Sequence, residues 1–495
     1  MHPSHYRIYN ILNFMKTGKL ASIILFMIFL FGGSPLLFAQ PNSLYFMKGI
    51  PQTKDLNPAR PGISDGYYFS MPLFSKLDLS VNTNNWAYTD LIHWGTGLRT
   101  DSLVIDPEKF KRALDSKNFI NESAALTVFE GGFKKGKDFY AASITEREFT
   151  EFSFSKNLVN FIQFGNYPYV GQTFYSGNLA VNSQHYREFA FNYSHDVDKK
   201  LTIGGAAKIL FGMAAVQTNG MNFKITSPAN GEYLDVTASG RMNISAPVQF
   251  NYSPGGKILS VNSLSNYSGL NYMANFKNPG IAFDFGFAYH ATKKTEISAS
   301  IIDLGLIGWR SNTTRFTEQG YFRYNGVSLN DPLQNPPVIS QFSTVIDSIT
   351  TLITNQFRPT HTNSGFATLL PVKIYLGIDH QLNDFVSISG LTRIRIMNNT
   401  VHTSFTASAN ALLGKVLSLS ASYSIMESTY DNLGLGVGIR AGAFQIYTAA
   451  DNIISPFYPS QARNMNFRIG INFIFGDKDS SKSSGSSGSN CHCPY

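Results

Sequence analysis

Strict alternation of apolar and polar residues is the strongest pattern in the chain, and it dominates from about Phe139 onward. In the segment from Ile281 to His290, every second residue is aromatic or isoleucine, and most of the residues between are small or polar. Successive side chains of a β-strand point to opposite faces, so this pattern predicts strands with one apolar and one polar face. The other segments with this pattern begin at Phe189, Leu201, Ile374, Leu417, Leu433 and Phe467.

The links between these segments alternate between short and long. Short turns are predicted at Asp196–Lys200, Ala291–Lys294, Gln381–Asp384, Gly414–Lys415 and Ala441–Gly442. Long links, such as Leu304–Leu370, are predicted on the opposite side. Outer-membrane barrels combine short periplasmic turns with long extracellular loops. The sequence therefore predicts an all-β, transmembrane antiparallel up-and-down β-barrel of about 14 strands, within a range of roughly 12 to 16.

Two insertions interrupt the strand pattern and predict short helices. In the first, Asp106 followed by Pro107 is a helix N-cap and first-turn signal, and Phe110 with Leu114 gives an amphipathic stripe. In the second, apolar residues recur at three- and four-residue spacing between Val338 and Ile353. This second helix either packs on the loops and the barrel rim, or covers the pore or binds a partner.

The N-terminal residues predict export. Lys16 and Lys19 precede the apolar run Leu20–Phe31, and a small residue, Ala39, stands before Gln40. We interpret residues 1–39 as a secretory signal peptide, with Met15 as an alternative start. The rival interpretation is a membrane anchor, but two glycines and a proline interrupt the run. Export and the barrel together predict the cell outer membrane as the location.

Composition and motifs argue against several other classes of function. The net charge of +8 comes from scattered Lys and Arg residues, which gives no basic stripe for nucleic acid. The sequence contains no motif of a serine hydrolase, a zinc protease or a phosphate-binding loop, so we expect no enzyme and no cofactor. Residues 477–495 form a Ser/Gly-rich tail that we expect to be disordered. Its end, Cys491-His492-Cys493, lacks the four ligands of a structural zinc site, so no metal is predicted.

A short motif near the predicted cleavage site carries a family resemblance. Asn57-Pro58-Ala59 resembles the N-terminal motif of outer-membrane barrels of the long-chain fatty-acid transporter type. That resemblance implies a hatch, residues 40–65, inside a barrel formed by residues 66–476. The segments Leu433–Arg440, Ala441–Asn452 and Phe467–Gly476 look like an uncharacterised family of such barrels, related in outline to membrane components of type IX secretion and gliding machinery.

Charged residues and glycines on the polar faces of predicted strands are the candidates for a functional lumen. A charge facing lipid at the bilayer midplane costs about 2 to 4 kcal/mol, so these charges should face inward. They either form ion pairs that hold a hatch to the wall, or form a constriction that selects solutes. Gly434, Gly436 and Gly438 alternate along one strand and provide a smooth wall or room for a hatch. The charged candidates are Asp284, His290, Glu296, Arg393 and Arg395.

Three functional hypotheses follow. The first is a pore or transporter in outer-membrane lipid, with a hydrophobic or amphipathic small molecule as cargo. The second is a non-conducting scaffold that binds proteins of a secretion or gliding machinery. The third is a soluble, secreted β-protein, which would need no detergent. Conductance and uptake separate the first two hypotheses, because a scaffold should be closed and should purify with its partners.

Overall fold

The computed structural model describes residues 42–72, 75–95, 102–164, 167–177, 179–230, 232–254, 256, 258–264, 268–324, 360–397, 400–426 and 429–476. Strands dominate these residues. In chain order they are β1 (Gly66–Ser70), β2 (Lys76–Thr83), β3 (Ile92–Trp94), β4 (Leu103–Ile105), β5 (Lys117–Lys135), β6 (Asp138–Ser155), β7 (Thr173–Tyr175), β8 (Ala180–Asp196), β9 (Leu201–Thr226), β10 (Leu234–Ser245), β11 (Val248–Tyr252), β12 (Ile258–Ser263), β13 (Pro279–His290), β14 (Thr295–Trp309), β15 (Thr313–Tyr324), β16 (Thr360–Thr362), β17 (Phe366–Leu369), β18 (Val372–Gln381), β19 (Val386–Met397), β20 (Thr400–Leu413), β21 (Leu417–Met426), β22 (Thr429–Ala441), β23 (Phe444–Ala450) and β24 (Asn464–Phe475).

The described strands form a closed antiparallel barrel of 14 staves, where a stave is one strand or several strands in line. The multi-strand staves are β1 with β2, β7 with β8, β10 with β13, β14 with β15, and β16 with β17 and β18. The ring closes because Tyr67 pairs with Phe475 of β24 on one side and with Phe133 of β5 on the other. The predicted all-β barrel of about 14 strands is therefore confirmed.

The outer surface of the barrel is apolar where the predicted alternation is strongest. In β13, Phe283, Phe285 and Phe287 are exposed on the outside, whereas Ala282 and Asp284 are buried on the inside. An outward apolar band with a polar interior is the pattern of a membrane-spanning barrel. The barrel therefore presents a lipid-facing surface, and its inward residues define the lumen.

Six short turns lie at one end of the barrel, which we call the turn end; the opposite end is the loop end. The predicted alternation of short and long links fails at two places, because the β19–β20 and β21–β22 links at the loop end are only two residues long. The five predicted turns are present at the turn end, and a sixth, at Gly136, joins β5 to β6. Gly66 and Phe475, the first and last residues of the barrel strands, lie at the same end. The predicted long link Leu304–Leu370 is wrong at both ends, because β14 and β15 continue to Tyr324 and β16 already begins at Thr360.

Helices and small hairpins occupy the links of the loop end. The described α-helices are α1 (Tyr88–Leu91), α2 (Pro107–Ala113), α3 (Lys156–Phe164) and α4 (Gly269–Met273), and β3–β4 and β11–β12 are two-stranded hairpins. The first predicted helix is confirmed as α2: Asp106 accepts from the N–H of Lys109 at 2.8 Å, and Phe110 and Leu114 are buried. The second predicted helix, between Val338 and Ile353, lies outside the described residues. No helix in the described part of the chain is long and apolar enough to cross a membrane.

Candidate functional site

A non-strand segment, residues 42–65, lies inside the barrel and contacts the inner faces of many strands. We call it the inner segment; it contains two 3₁₀ turns, Asn42–Leu44 and Pro51–Asp55. Its apolar side chains are fully buried against inward residues of the wall. The residues that share this core are Leu44, Tyr45, Phe46, Met47, Ile50 and Leu56 of the inner segment and Ile302, Tyr375, Leu391, Tyr447 and Ala449 of the wall. The centre of the barrel is therefore filled rather than open.

The beginning of the inner segment is held by a buried carboxylate. The N–H groups of Asn42 and Ser43 donate to the side chain of Asp451 at 2.6 and 2.9 Å. The amide of Asn42 donates to the hydroxyls of Ser404 and Thr406, each at 3.1 Å. Hydrogen bonds to charged groups are stronger than neutral ones, so Asp451 fixes this end of the segment to the wall.

The motif Asn57-Pro58-Ala59 docks against the wall between β9, β13 and β14. The Asn57 amide donates to the hydroxyl of Tyr45 at 3.0 Å and to the carbonyls of Phe287 and Ala299 at 3.1 and 3.4 Å. Its side-chain oxygen accepts from the N–H of Ala59 at 3.0 Å. All of its hydrogen-bonding groups are thus used, as a buried amide requires.

Two glycines of the wall make this close docking possible. Gly286 and Gly204 are cross-strand partners on the inner faces of β13 and β9. A Cβ atom at Gly286 would overlap the Asn57 side chain, and one at Gly204 would lie 2.5 Å from the carbonyl carbon of Pro58.

Two glycines of β22 have the same role at another part of the inner segment. A Cβ at Gly438 would lie 2.7 Å from Ile50, and one at Gly436 would overlap Met47. At Gly436 and Gly438, glycine therefore gives the inner segment room to approach the wall.

A first cluster of ion pairs joins the inner segment to the wall at the second 3₁₀ turn. The Lys54 ammonium lies 3.0 Å from Glu130 of β5 and 2.7 Å from Asp55, and Lys76 of β2 contacts Asp55. Burial raises the pKa of the Asp55 carboxyl, but the charges of Lys54 and Lys76 outweigh burial and hold that pKa well below its ordinary value. Lys54 and Glu130 are fully buried, so this cluster has little contact with solvent.

A second cluster of ion pairs lies on the inner wall beside the Asn57 docking position, across the neighbouring strands β9, β13, β14 and β18. Lys208 of β9 lies 2.6 Å from both Asp284 and Asp303, and Lys373 lies 2.6 Å from Asp303. Asp303 lies at a bulge in the β13–β14 pairing and has a φ of 64°. A cavity of about 10 Å³, the size of one water molecule, separates this cluster from the first. Together the two clusters close the lumen at this level.

The other predicted charged residues occupy two places. Glu296 pairs with Arg60, at the end of the inner segment, and His290 lies 3.9 Å from Glu296 near the turn end. The Arg60 guanidinium also lies 4.9 Å from the centre of the Phe46 ring. Arg393 and Arg395 of β19 are cross-strand partners of Tyr375 and Lys373, away from this pair. The structure thus brings Asp284, His290 and Glu296 to one wall and places the two arginines on another.

An apolar cluster lines the inner wall on the loop side of the second ion-pair cluster. Trp309 is fully buried, and its indole N–H donates to the hydroxyl of Thr368 at 2.9 Å. By strand register, Leu210 and Gly280 lie one inward position beyond Lys208 and Ala282, toward the loop end. The cluster consists of Tyr186, Leu210, Ala215, Ala282, Ile307, Trp309 and Leu370, with Phe366 packed against it.

At the turn end, the lumen opens into a cavity of about 890 Å³, which we call the vestibule. Its roof is the underside of the inner segment, at Met47 to Gly49 and Ala59 to Ser64. Its walls come from the short turns and from inward residues of β9, β13 and β22. The lumen therefore has three levels: an open vestibule, a filled centre and an apolar wall toward the loop end.

Lys208, Lys54, Glu130 and Asp303 were not among the candidates from the sequence. Lys208 is the one charged residue between Leu201 and Val216, a stretch that otherwise alternates apolar and small residues. An isolated charge in such a strand needs an inward partner, so this signal could have identified Lys208. The partners lie on distant strands, and no local pattern reveals them.

We predict that Asn57→Asp undocks the inner segment. The variant keeps the acceptor for Ala59 but loses the donors to Phe287 and Ala299 and places a buried carboxylate oxygen against these two carbonyls. A buried polar atom without a donor costs about 1 to 3 kcal/mol, and a charged one costs more. Trypsin should then cut after Lys54, detected by mass spectrometry of the N-terminal fragments. The control is Asn222→Asp at an exposed position of β9, which should leave cleavage unchanged. Equal protection of Lys54 in both variants would contradict this role of Asn57.

Comparisons with known proteins place the chain in a family and relate its fold to solved barrels. Residues 61–451 match the model described as "Family of unknown function (DUF5723)". A search of curated proteins by sequence gave no match.

Three solved structures are similar to this chain over most of its length. The Ralstonia pickettii toluene transporter TbuX has a TM-score of 0.41 and 13% identity, over 88% of this chain and 98% of that chain. The Pseudomonas putida toluene transporter TodX has a TM-score of 0.35 and 11% identity, over 89% and 94% of the two chains. A Pseudomonas aeruginosa FadL homologue has a TM-score of 0.34 and 9% identity, over 88% and 93%.

Proposed function

We propose that this chain, which belongs to the DUF5723 family, is an outer-membrane channel for hydrophobic small molecules that the inner segment closes. Among the similar structures, TbuX and TodX are described as toluene transporters. For the present chain, the proposal rests on its own lumen. We also propose export by a signal peptide, residues 1–39, which lies outside the described residues.

The apolar cluster on the loop side of the lumen is the single observation that carries the choice of cargo. The interior of a water-filled barrel is polar. Here Leu210, Ile307 and Trp309 instead turn apolar surface inward and are completely buried. Apolar binding sites favour apolar ligands, so this surface favours an apolar cargo.

The inner segment supports a gated channel rather than an open one. Its core residues are buried, and the two ion-pair clusters leave space for about one water molecule between them. Passage therefore requires the inner segment to move. Its attachments are ion pairs, hydrogen bonds and apolar contacts, all of which can break and re-form without unfolding a strand.

Uptake into proteoliposomes tests this proposal. An apolar aromatic dye should enter vesicles that contain the protein faster than it enters empty vesicles. The variant Leu210→Gln should slow entry by at least about tenfold, since one buried leucine side chain contributes about 1.5 to 3 kcal/mol. The matched control is Ile209→Gln, on the lipid-facing side of the same strand. A scaffold would be favoured instead by two results together. Neither the wild type nor variants with an undocked inner segment would take up the dye, and the protein would purify in stable complexes with other proteins.

A further inference from the structure

The hairpin of β19 and β20 extends at the loop end beyond the neighbouring strand β21. Residues 400–403 of β20 pair with residues 394–397 of β19. The pairing of β20 with β21 begins only at Ser404, opposite Met426, whereas the pairing of β19 with β18 reaches Ile396. We call residues 394–397 and 400–403 the hairpin tip. Among the residues that the structure describes, the β20 side of this tip is held by strand pairing to β19 alone.

The hairpin tip lies opposite β5 and β6 in the ring of the barrel. Counted round the ring from β1, β6 is the third stave and β20 is the tenth of 14. Neighbouring strands lie about 4.8 Å apart, so a circular ring of this size would be at least about 20 Å across. Side chains of the tip nevertheless touch β5 and β6. The two opposite walls therefore approach each other at this level of the lumen.

Three contacts join the hairpin tip to the opposite wall. His402 is buried, and its Nε2 lies 3.7 Å from a carboxylate oxygen of Glu151 on β6. The same ring meets the Phe119 ring of β5 edge to face, with the ring centres 4.8 Å apart. Nearer the rim, the Lys117 ammonium donates to the hydroxyl of Thr400 at 2.8 Å. Together these side chains cross the lumen.

Arg395, one of the charged candidates from the sequence, belongs to the same crossing. It is the register partner of His402, and its guanidinium lies 5.9 Å from the centre of the Phe149 ring on β6. Along β6, Phe149 is two residues nearer the loop end than Arg147, the register partner of Tyr186 in the apolar cluster. The hairpin tip therefore lies on the loop side of this part of the apolar cluster.

The contacts of the crossing are looser than those of the barrel centre. The His402–Glu151 distance of 3.7 Å exceeds hydrogen-bond length, whereas Lys208 lies 2.6 Å from its two carboxylate partners. We infer that the hairpin tip is a lid, a second closure of the lumen in addition to the inner segment. Its opening breaks side-chain contacts with β5 and β6 and leaves the described pairing of β20 with β21 in place. This inference rests on the proposed function, because a lid matters only where a solute passes.

Planar-bilayer recordings with small ions test the lid in a variant whose centre is already displaced. The parent is Gly286→Leu, in which the added side chain overlaps Asn57 of the inner segment. Adding Phe119→Ala/His402→Ala removes the two rings that meet across the lumen. A solute passes two closures in series only while both are open, so mean conductance should rise at least about fivefold over the parent.

The matched control is Ile120→Ala/Val401→Ala in the same parent. These neighbouring side chains lie on the outer faces of the same two strands, and Val401 is exposed. Surface substitutions of this kind should leave conductance within about twofold of the parent. A gel shift between unheated and boiled samples shows that each variant keeps the folded barrel. If the double alanine variant does not fold, His402→Asn tests the same contacts with a smaller change.

The outcomes separate the lid from the proposed cargo. A rise in ion conductance in the lid variant but not in the control supports the lid, even if no variant takes up the apolar dye; the cargo proposal alone would then be wrong. Conductance equal to that of the parent, or an equal rise in the control, would overturn the lid. Dye uptake by the Gly286→Leu parent would in that case leave the channel proposal standing.

Discussion

Replacement of Lys54 by methionine should release the inner segment from the β5 wall. The Lys54 ammonium lies 3.0 Å from Glu130, and both side chains are fully buried. Removal of one partner from a buried ion pair costs about 3 to 5 kcal/mol, because the other charge stays buried without compensation. We therefore expect hydrogen exchange of the amides between Ile50 and Asn57 to become faster by about two to four orders of magnitude.

The double variant Lys54→Met/Glu130→Gln is the matched control for this prediction. It removes the unpaired carboxylate, while a glutamine at position 130 can still bond to Gln52 and to the hydroxyl of Tyr68, both of which contact Glu130 in the native chain. Much of the protection should then return. If the single and double variants exchange equally fast, the loss arises from the missing lysine and not from the isolated Glu130. If neither differs from the wild type, the ion pair does not hold the segment.

Replacement of Gly286 by leucine should open the centre of the barrel. Even a Cβ at this position would overlap Asn57 and lie 3.0 Å from the Pro58 ring, so the docked position is not available to the variant. Overpacking of this kind costs about 1 to 3 kcal/mol. That cost corresponds to about a five- to 150-fold change in the ratio of undocked to docked segment. Planar-bilayer recordings should therefore show a higher mean conductance than in the wild type.

Gly390→Leu provides the matched control, because this glycine lies on the outer face of β19. A Cβ there would meet only Ile378, at 3.5 Å, which is an ordinary contact. Its conductance should equal that of the wild type. Gly286→Ala tests the same contact with a smaller side chain, in case the leucine variant does not fold. Wild-type conductance in both folded Gly286 variants would show that the motif does not close the lumen.

The sequence predicts the barrel well where alternation is uninterrupted and poorly where it changes phase. In β13, the pattern from Ile281 to His290 correctly separates outer from inner residues. In β5, a bulge lies between Thr127 and Phe129, so the inward residues change from odd to even numbers along one strand. Before the bulge Thr127 faces inward, and after it Glu130 does. A search for constant alternation misses such a strand.

Much of the candidate site depends on contacts between residues far apart in sequence. Asn57 is noticeable because of its motif, but its partners Phe287 and Ala299 are backbone carbonyls, which have no sequence signature. Asp284 is noticeable as a charge within an apolar strand, whereas its partner Lys208 depends on strand register. The glycines at positions 204 and 286 resemble other strand glycines until the inner segment is placed against them.

The most direct test of the account is a reversible cross-link between the inner segment and the wall. Met47 contacts the position of Gly436, so Met47→Cys and Gly436→Cys can be joined by a disulfide or a short thiol-specific cross-linker, with Cys491 and Cys493 replaced by serine. Uptake of the apolar dye should stop when the link is closed and return to the unlinked rate when it is reduced. Equal uptake by the linked and reduced protein would contradict the claim that movement of the inner segment opens this channel.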